Sequence, residues 1–374
     1  MKKHFAFVVL SFLFACLSAQ AQMAPAPADV VRKIADNVLE NTSFKFINKE
    51  TGETYTNTKD LAYSPQVRNE SPYNTWEYWN GVLSVAMVQL GQILNEPKYI
   101  EYSKHNYDFI FSNLDYFKKQ YDQNVKKSSY TEFFRLGKLD DCGAMAAGLA
   151  DVYAFDKKPE YMDYLNRVGN YILTKQEKLS DQTLCRPVPR VYTIWADDLY
   201  MSIPYLARMG KLTGDNKYYD FAIQQVENFG KYLYNPSNGL YYHCWYSDVS
   251  LNGVAHWGRC NGWVMMATAE LLNILPEDHP KRAEMIRMLL RQIVGVSRYQ
   301  DTSGLWHQVL DKPDSYLESS CTAMFVYSIA KAVNKGWIDP RYMSIANNGW
   351  KGLSTKIQAD GQVQDICIGT GISE

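Results

Sequence analysis

Apolar residues recur at helical spacing in two alternating styles along this chain. From Trp76 to Leu94, WEYWNGVLSVAMVQLGQIL is apolar on nearly all faces and predicts a buried helix; Lys98 to Leu114 is apolar along one stripe and predicts an outer helix. Further buried helices are predicted to begin near Asp140, Asp197, Gly258 and Glu318, alternating with amphipathic ones. Four outer helices share an opening: Glu96-Pro97-Lys98-Tyr99, Lys158-Pro159-Glu160-Tyr161, Asp215-Asn216-Lys217-Tyr218 and Asp339-Pro340-Arg341-Tyr342. A unit recurring every 60 or so residues, and at longer spacing where loops intervene, marks a helical hairpin reused, each burying its inner helix against its neighbours. An amphipathic helix starts earlier, at Asp29, and Asn41 to Asn69 reads as polar loop. Two Gly-Leu-aromatic connections, Asn238 to His243 and Ser303 to His307, predict short hairpins at the rim where inner helices start. The expected fold is all-α: an (α/α)6 barrel, a toroid of six hairpins, for which the pattern supplies five inner helices.

Composition narrows the partners. Lys and Arg total 39 against 40 Asp and Glu, so net charge gives no general attraction to nucleic acid or to an anionic membrane. The first residues have a basic start (Lys2, Lys3), an apolar run from Phe5 to Leu17 and small residues at Ala19 and Ala21, which predicts a signal peptide over residues 1–21. The mature chain, 22–374, is read as one catalytic domain, exported to the bacterial periplasm. Leu13-Phe14-Ala15-Cys16 offers the alternative of a lipoprotein anchored through Cys16, which the bulk of Phe14 disfavours. No other apolar run reaches the roughly 18 residues that span a bilayer, so no membrane insertion is expected after cleavage. The six remaining cysteines form no CxxC pair and no zinc spacing, and buried free thiols are expected. With no phosphate loop and no metal-ligand cluster, neither cofactor nor metal is expected.

Candidate chemistry gathers where inner helices begin. Asp197 and Asp198 follow Trp195, and Asp140 and Asp141 open another apolar helix in the same way. Capping explains one Asp at a helix start; it explains less well a second beside a Trp. If the inner helices run parallel, their N-termini bring Asp140, Asp141, Asp197, Asp198, Arg259, Asn261, Ser319 and Ser320 to one mouth, with His243 and His307 overhead. Aromatic faces such as Trp195, Trp257 and Trp263 can stack on sugar rings, and Arg259 can hold a carboxylate by two contacts. Two neighbouring carboxylates resist ionising together, so one of them can keep a proton near neutral pH and act as general acid. These parts suit an acidic sugar.

Three segments, Trp195-Ala196-Asp197-Asp198-Leu199-Tyr200-Met201, Gly239-Leu240-Tyr241-Tyr242-His243-Cys244-Trp245 and Trp257-Gly258-Arg259-Cys260-Asn261-Gly262-Trp263, resemble in order and spacing glycoside hydrolase family 105, the unsaturated rhamnogalacturonyl hydrolases. The unsaturated glucuronyl hydrolases of family 88 are more distant. The resemblance implies an enzyme that releases a 4,5-unsaturated uronic acid, here unsaturated galacturonate, from acidic oligosaccharides left by a polysaccharide lyase, as in pectin degradation. It implies that Asp197 protonates C4 of the double bond and then helps water add at C5, a hydration and not a displacement at the anomeric carbon. By the same match Asp140 or Asp141, with Asp141 preferred, supplies a second carboxylate; Trp195, His243, Trp257 and Arg259 bind the sugar; Tyr78 and Trp263 stack on it. A basic residue that some relatives carry upstream of the Trp-x-Asp motif has no clear counterpart here, with Arg186 or Arg190 as the candidate substitutes, which leaves substrate selectivity open. Family members usually continue past a segment like Asp365 to Gly371 into a final inner helix, so this chain is expected to lack that helix. Another (α/α)6-barrel glycosidase or lyase, or a non-catalytic glycan-binding protein, is the alternative. Oligomeric state is not legible.

Overall fold

The computed structural model describes residues 26–372; the leader read at 1–21 and Cys16 lie outside the described residues. Helices follow the predicted alternation. Outer helix α1 (Pro27–Glu40) precedes inner α2 (Tyr78–Leu94), and outer α3 (Pro97–Phe111) leads through the short α4 (Leu114–Asp122) and α5 (Thr131–Arg135) to inner α6 (Gly143–Tyr153). Then come outer α7 (Pro159–Asn170), inner α8 (Ile203–Thr213), outer α9 (Asn216–Leu233), inner α10 (Gly258–Ile274), outer α11 (Arg282–Ser297), inner α12 (Ser319–Asn334) and outer α13 (Met343–Ser354). Together these form an (α/α)6-type barrel with five inner helices among the described residues.

The repeated outer-helix opening has a physical reason. Pro97 and Pro159 sit in the first turn, where a missing N–H costs nothing. Lys98 and Tyr99 both bond to Asp36 of the preceding outer helix, and Lys158 and Tyr161 both bond to Asp108 of theirs. These two hairpins are thereby pinned to the ones before them, whereas Asp215 and Asp339 pair with Lys217 and Arg341 of their own openings.

Close helix approach sets the mouth. A Cβ on Gly143 would lie 1.6 Å from the Met201 carbonyl oxygen, and one on Gly81 2.3 Å from the Ala144 carbonyl carbon. The starts of α2, α6 and α8 therefore stand together, which makes these helices parallel. At the opposite end Arg208 (α8) bonds to Asp151 (α6) at 2.8 Å and to Glu270 (α10) at 3.1 Å, while Lys331 (α12) bonds to Glu270 at 2.7 Å. Tyr327 of α12 donates to Gln89 of α2 at 3.0 Å, so every inner helix contributes to one polar network at the base.

Three readings are corrected. Asn41 to Asn69 is not only loop: β1 (Phe46–Asn48) pairs with β2 (Thr54–Tyr55) and β3 (Val67–Asn69), burying Phe46 and Val67 between polar neighbours. The Asp pairs do not open the α-helices themselves. They sit in 3₁₀ turns, Leu139–Asp141 and Ala196–Leu199, just ahead of α6 and α8. Finally, α2 is not enclosed on all faces, since Trp79 and Ile93 are exposed. Rim hairpins occur as expected: β5 (Tyr234–Asn235) pairs with β6 (Leu240–Tyr241), and β9 (Trp306–His307) with β10 (Leu317–Glu318). The six cysteines among the described residues are all buried, and Cys142, Cys185, Cys260, Cys321 and Cys367 carry free thiols.

Gly143→Ala forces a methyl into backbone, whereas Gly214, with φ +69° at the end of α8, faces open space. We expect Gly143→Ala to destabilise by about 3 kcal/mol or more and Gly214→Ala by about 1 kcal/mol. Urea unfolding of the two variants checks the order; equal losses would contradict the close-approach account.

Candidate active site

The mouth is assembled by a three-stranded sheet that joins distant segments. β4 (Thr193–Trp195) pairs antiparallel with β7 (Cys244–Tyr246), which pairs with β8 (Leu251–Asn252). The register sets Trp195 opposite Cys244, and the Ala196 N–H donates to the His243 carbonyl at 2.8 Å. Asp197 and His243 are thus neighbours across the sheet end, with Asp197 Oδ2 3.1 Å from His243 Nε2. The other imidazole nitrogen, Nδ1, lies 3.0 Å from the Gly371 carbonyl. A carbonyl accepts only, so Nδ1 is the nitrogen that donates there, which turns Nε2 toward Asp197.

Arg186 ties the two acidic pairs together. Its guanidinium donates to Asp198 at 2.6 and 2.9 Å and to Asp140 at 3.2 Å, and it lies 4.3 Å from the centre of the Trp195 ring. Burial pushes the Asp198 carboxyl up to about 6, against the pull of Arg186. Asp197 goes the other way: burial raises it, but His243, Arg186 and Arg259 outweigh burial and hold it below the usual carboxylate range. Two adjacent carboxylates are therefore split by environment, Asp197 the stronger acid and Asp198 the weaker. Of the pair, Asp198, the one locked to Arg186, keeps its proton to the higher pH.

Several polar atoms at this end have no partner among the described residues: Trp195 Nε1, Trp257 Nε1, Arg259 Nε and Ser319 Oγ, while Asp197 Oδ2 is near His243 without hydrogen-bond alignment. Arg259 donates its Nη1 to the Cys367 carbonyl, and Thr370 Oγ1 is 3.3 Å from His243 Nε2, so the segment 365–371 passes over the mouth. Tyr78 belongs to the same site. Burial raises its hydroxyl, with the charges of Arg259, Asp140 and Asp197 acting on it.

Not every expected residue arrives there. Asp141 is fully buried, bonded to Arg135 and to the Gly137 and Lys138 N–H groups, so of the pair only Asp140 faces the mouth. The preference for Asp141 gives way on this geometry, and capping of its own turn accounts for it. Trp263 is 5% exposed and packs on Tyr200, so it backs the site instead of offering a free face. His307 contacts the Ser315 carbonyl of its own hairpin, and Asn261 bonds the Tyr241 backbone, both structural roles. Arg190 pairs with Asp248, away from the Asp pair, leaving Arg186 as the inward cation. Lys138, 3.2 Å from Asp140, was not foreseen, and neither was the part played by Cys367 and Thr370. Both depend on chain paths that periodicity does not report.

A family model described as Glycosyl Hydrolase Family 88 matches residues 46–374. The chain belongs to that family. Among its relatives is an unsaturated rhamnogalacturonyl hydrolase, YesR, of Bacillus subtilis, 29% identical over 220 residues, covering 57% of this chain and 62% of the relative. An unsaturated 3S-rhamnoglycuronyl hydrolase of an Alteromonas species is 31% identical over 175 residues, covering 45% of this chain and 42% of the relative. The chain thus aligns with less than two thirds of either protein's length. Crystal structures of possible GH105 family members share the fold: one from Salmonella enterica has a TM-score of 0.73 at 23% identity over 92% of this chain and 85% of that one, and one from Klebsiella pneumoniae 0.74 at 24% over 93% and 86%. The two families of the sequence resemblance are therefore both represented around this family 88 chain.

The raised Asp198 has a thermodynamic signature. A carboxyl moved from 3.8 to about 6 on folding contributes stability that is full below about pH 4 and is lost as pH rises through 6. That amounts to on the order of 3 kcal/mol. Asp198→Asn removes this component, so the stability gap, wild type minus variant, should shrink by that order between pH 4 and pH 7. Chemical denaturation at both pH values measures it, and a gap independent of pH would contradict the assignment.

Proposed function

We propose that this family 88 chain is a glycoside hydrolase that removes a 4,5-unsaturated uronic acid, with unsaturated galacturonate as the preferred sugar, from the non-reducing end of lyase-generated oligosaccharides. One observation carries the reading: buried donors on Trp195, Trp257 and Arg259 stand without acceptors among the described residues, at the end of the barrel that holds the buried Asp197 carboxyl 3.1 Å from His243. Buried donors left without acceptors cost free energy, so such a site is complementary to a polar, anionic ligand. The names of the rhamnogalacturonyl and rhamnoglycuronyl hydrolase relatives support the substrate class.

In this reading the sugar carboxylate docks at Arg259, where a two-point contact fixes its plane. The added negative charge opposes the cations that hold Asp197 ionised, so its carboxyl takes up a proton as the sugar binds. Asp197 then delivers it to C4. Water attacks C5, its hydroxide forming the new C5–O bond while its second proton returns to Asp197. The C5 hemiketal opens by breaking the C5–O5 bond to give the keto acid. C1, left as an open-chain hemiacetal, expels the remaining sugar as an alcohol. Asp140 and Asp198 act through Arg186, holding it over Trp195. Export through the leader at residues 1–21 would bring the enzyme to such fragments in the periplasm.

Asp197→Asn tests the role. It should lower kcat by on the order of 10²–10⁴-fold, the range for a lost general acid, with binding of the unsaturated oligosaccharide kept within a few-fold by calorimetry. Full turnover in the variant would overturn the role of Asp197. Binding by wild type with no turnover of unsaturated galacturonyl or glucuronyl substrates would instead favour a glycan-binding protein.

A further inference from the structure

Glu318 ends β10 and caps α12, and it is fully buried, 0% exposed. Its Oε1 accepts from the Ser320 N–H and the Ser320 hydroxyl at 2.6 Å each, and its Oε2 from the Cys321 N–H at 2.8 Å. Those three bonds belong to the cap, where a carboxylate meets unpaired N–H groups and the positive end of the helix. A fourth does not. The Cys367 N–H, 49 residues further along the chain, donates to Oε1 at 2.8 Å. Ser, Thr, Asp and Asn cap a helix with shorter side chains. Capping alone therefore does not call for glutamate, whereas a reach to a second segment does.

Residue 367 carries the contact onward to the mouth. Its N–H goes to Glu318, and its carbonyl accepts from Arg259 Nη1. Bonds just before it keep this stretch in place: the Ser319 N–H donates to the Asp365 carbonyl at 2.9 Å, and the Asp365 carboxylate pairs with Lys356 at 2.7 Å. Cys367 is buried while Ile366 and Ile368 on either side are exposed, so the chain turns inward at this one residue. A guanidinium can grip a carboxylate along either of two edges, Nη1 with Nη2 or Nε with Nη2. With Nη1 taken, the edge that remains is Nε with Nη2, and Nε has no acceptor among the described residues. A long side chain held in place before binding also has less freedom to lose when its ligand arrives.

We propose that Glu318 is a positioning residue for the substrate carboxylate, acting through the backbone of Cys367 to hold the Arg259 guanidinium with its Nε–Nη2 edge left for the acid group. The inference rests on the hydrolase reading above and deepens it: recognition of the sugar's carboxylate depends on a second carboxylate that never meets the sugar. Arg259 binds the acid group and transfers no proton, so the effect of Glu318 falls on KM and not on kcat.

Glu318→Asp separates the two jobs, since it keeps the charge and a good cap but is a methylene too short to reach Cys367 as well. Cys367→Pro breaks the same bond from the other side, because proline has no N–H, and it keeps the carbonyl. With an unsaturated uronyl oligosaccharide each variant should raise KM about tenfold at unchanged kcat, the size of one weakened charged hydrogen bond. Glu318→Asp should melt close to wild type. Calorimetry with galacturonate and galactose reads the same effect without turnover: wild type should bind the acid about tenfold more tightly than the neutral sugar, and both variants should lose most of that margin with galactose binding unchanged. Wild-type KM and margin in the variants would overturn the positioning role. So would a fall in kcat alone, or equal weakening of both sugars, each of which marks Glu318 as structural. If Cys367→Pro does not fold, Glu318→Asp decides; if neither folds, the bond is structural and the proposal falls. Absence of turnover by wild type, with the margin present and lost in the variants, would overturn the hydrolase reading alone. No margin in wild type would overturn the positioning role whatever the turnover.

Discussion

Everything at the mouth depends on keeping Asp197 and Asp198 buried side by side. Two adjacent carboxylates in a low-dielectric site are unfavourable unless countercharges meet them. Those countercharges come from separate parts of the chain: Arg186 from the loop before β4, His243 from the turn before β7, and Arg259 from the first turn of α10. No local segment supplies them, so the site exists only once the barrel has brought three hairpins together. The same dependence explains why the pair is unequal. Asp198 gets a bidentate guanidinium; Asp197 gets an imidazole 3.1 Å from one oxygen and out of hydrogen-bond alignment with it.

The base of the barrel solves a related problem differently. Asp151, Arg208, Glu270 and Lys331 come from four inner helices, and burial of Glu270 is outweighed by its cations, which hold its carboxyl down to about 2. There each charged group has a partner of opposite sign, and Asp151 Oδ2 alone of their oxygens lacks a hydrogen bond among the described residues. The ring is thus closed by matched charges at one end and left with unmatched donors at the other. That asymmetry is what marks the mouth, and not the base, as the place for a ligand.

Much of this was legible in the chain. Alternating buried and amphipathic stretches gave the barrel because each inner helix is apolar for a reason that periodicity records, and Trp195, Asp197, His243, Trp257 and Arg259 sit close to turns that define the mouth. Asp140 and Asp141 could not be separated, because the choice is made by Arg135 and Arg186, two cations whose positions follow from loop paths. Trp263 has the composition of a stacking ring, yet Tyr200 covers it. The strands between residues 46 and 69 were hidden by polar residues on their open faces, and the passage of residues 365–371 over Arg259 carries no periodic signal at all.

The central claim is that the bond attacked is the C4=C5 double bond and not the anomeric linkage. It is tested most directly by following, in one reaction with an unsaturated galacturonyl oligosaccharide, both the ultraviolet absorbance of the conjugated double bond and the liberation of the remaining sugar. Hydration predicts that absorbance is lost mole for mole with sugar released, and that a saturated galacturonyl analogue is left intact. Release of sugar with the absorbance retained, or cleavage of the saturated analogue at a comparable rate, would contradict it.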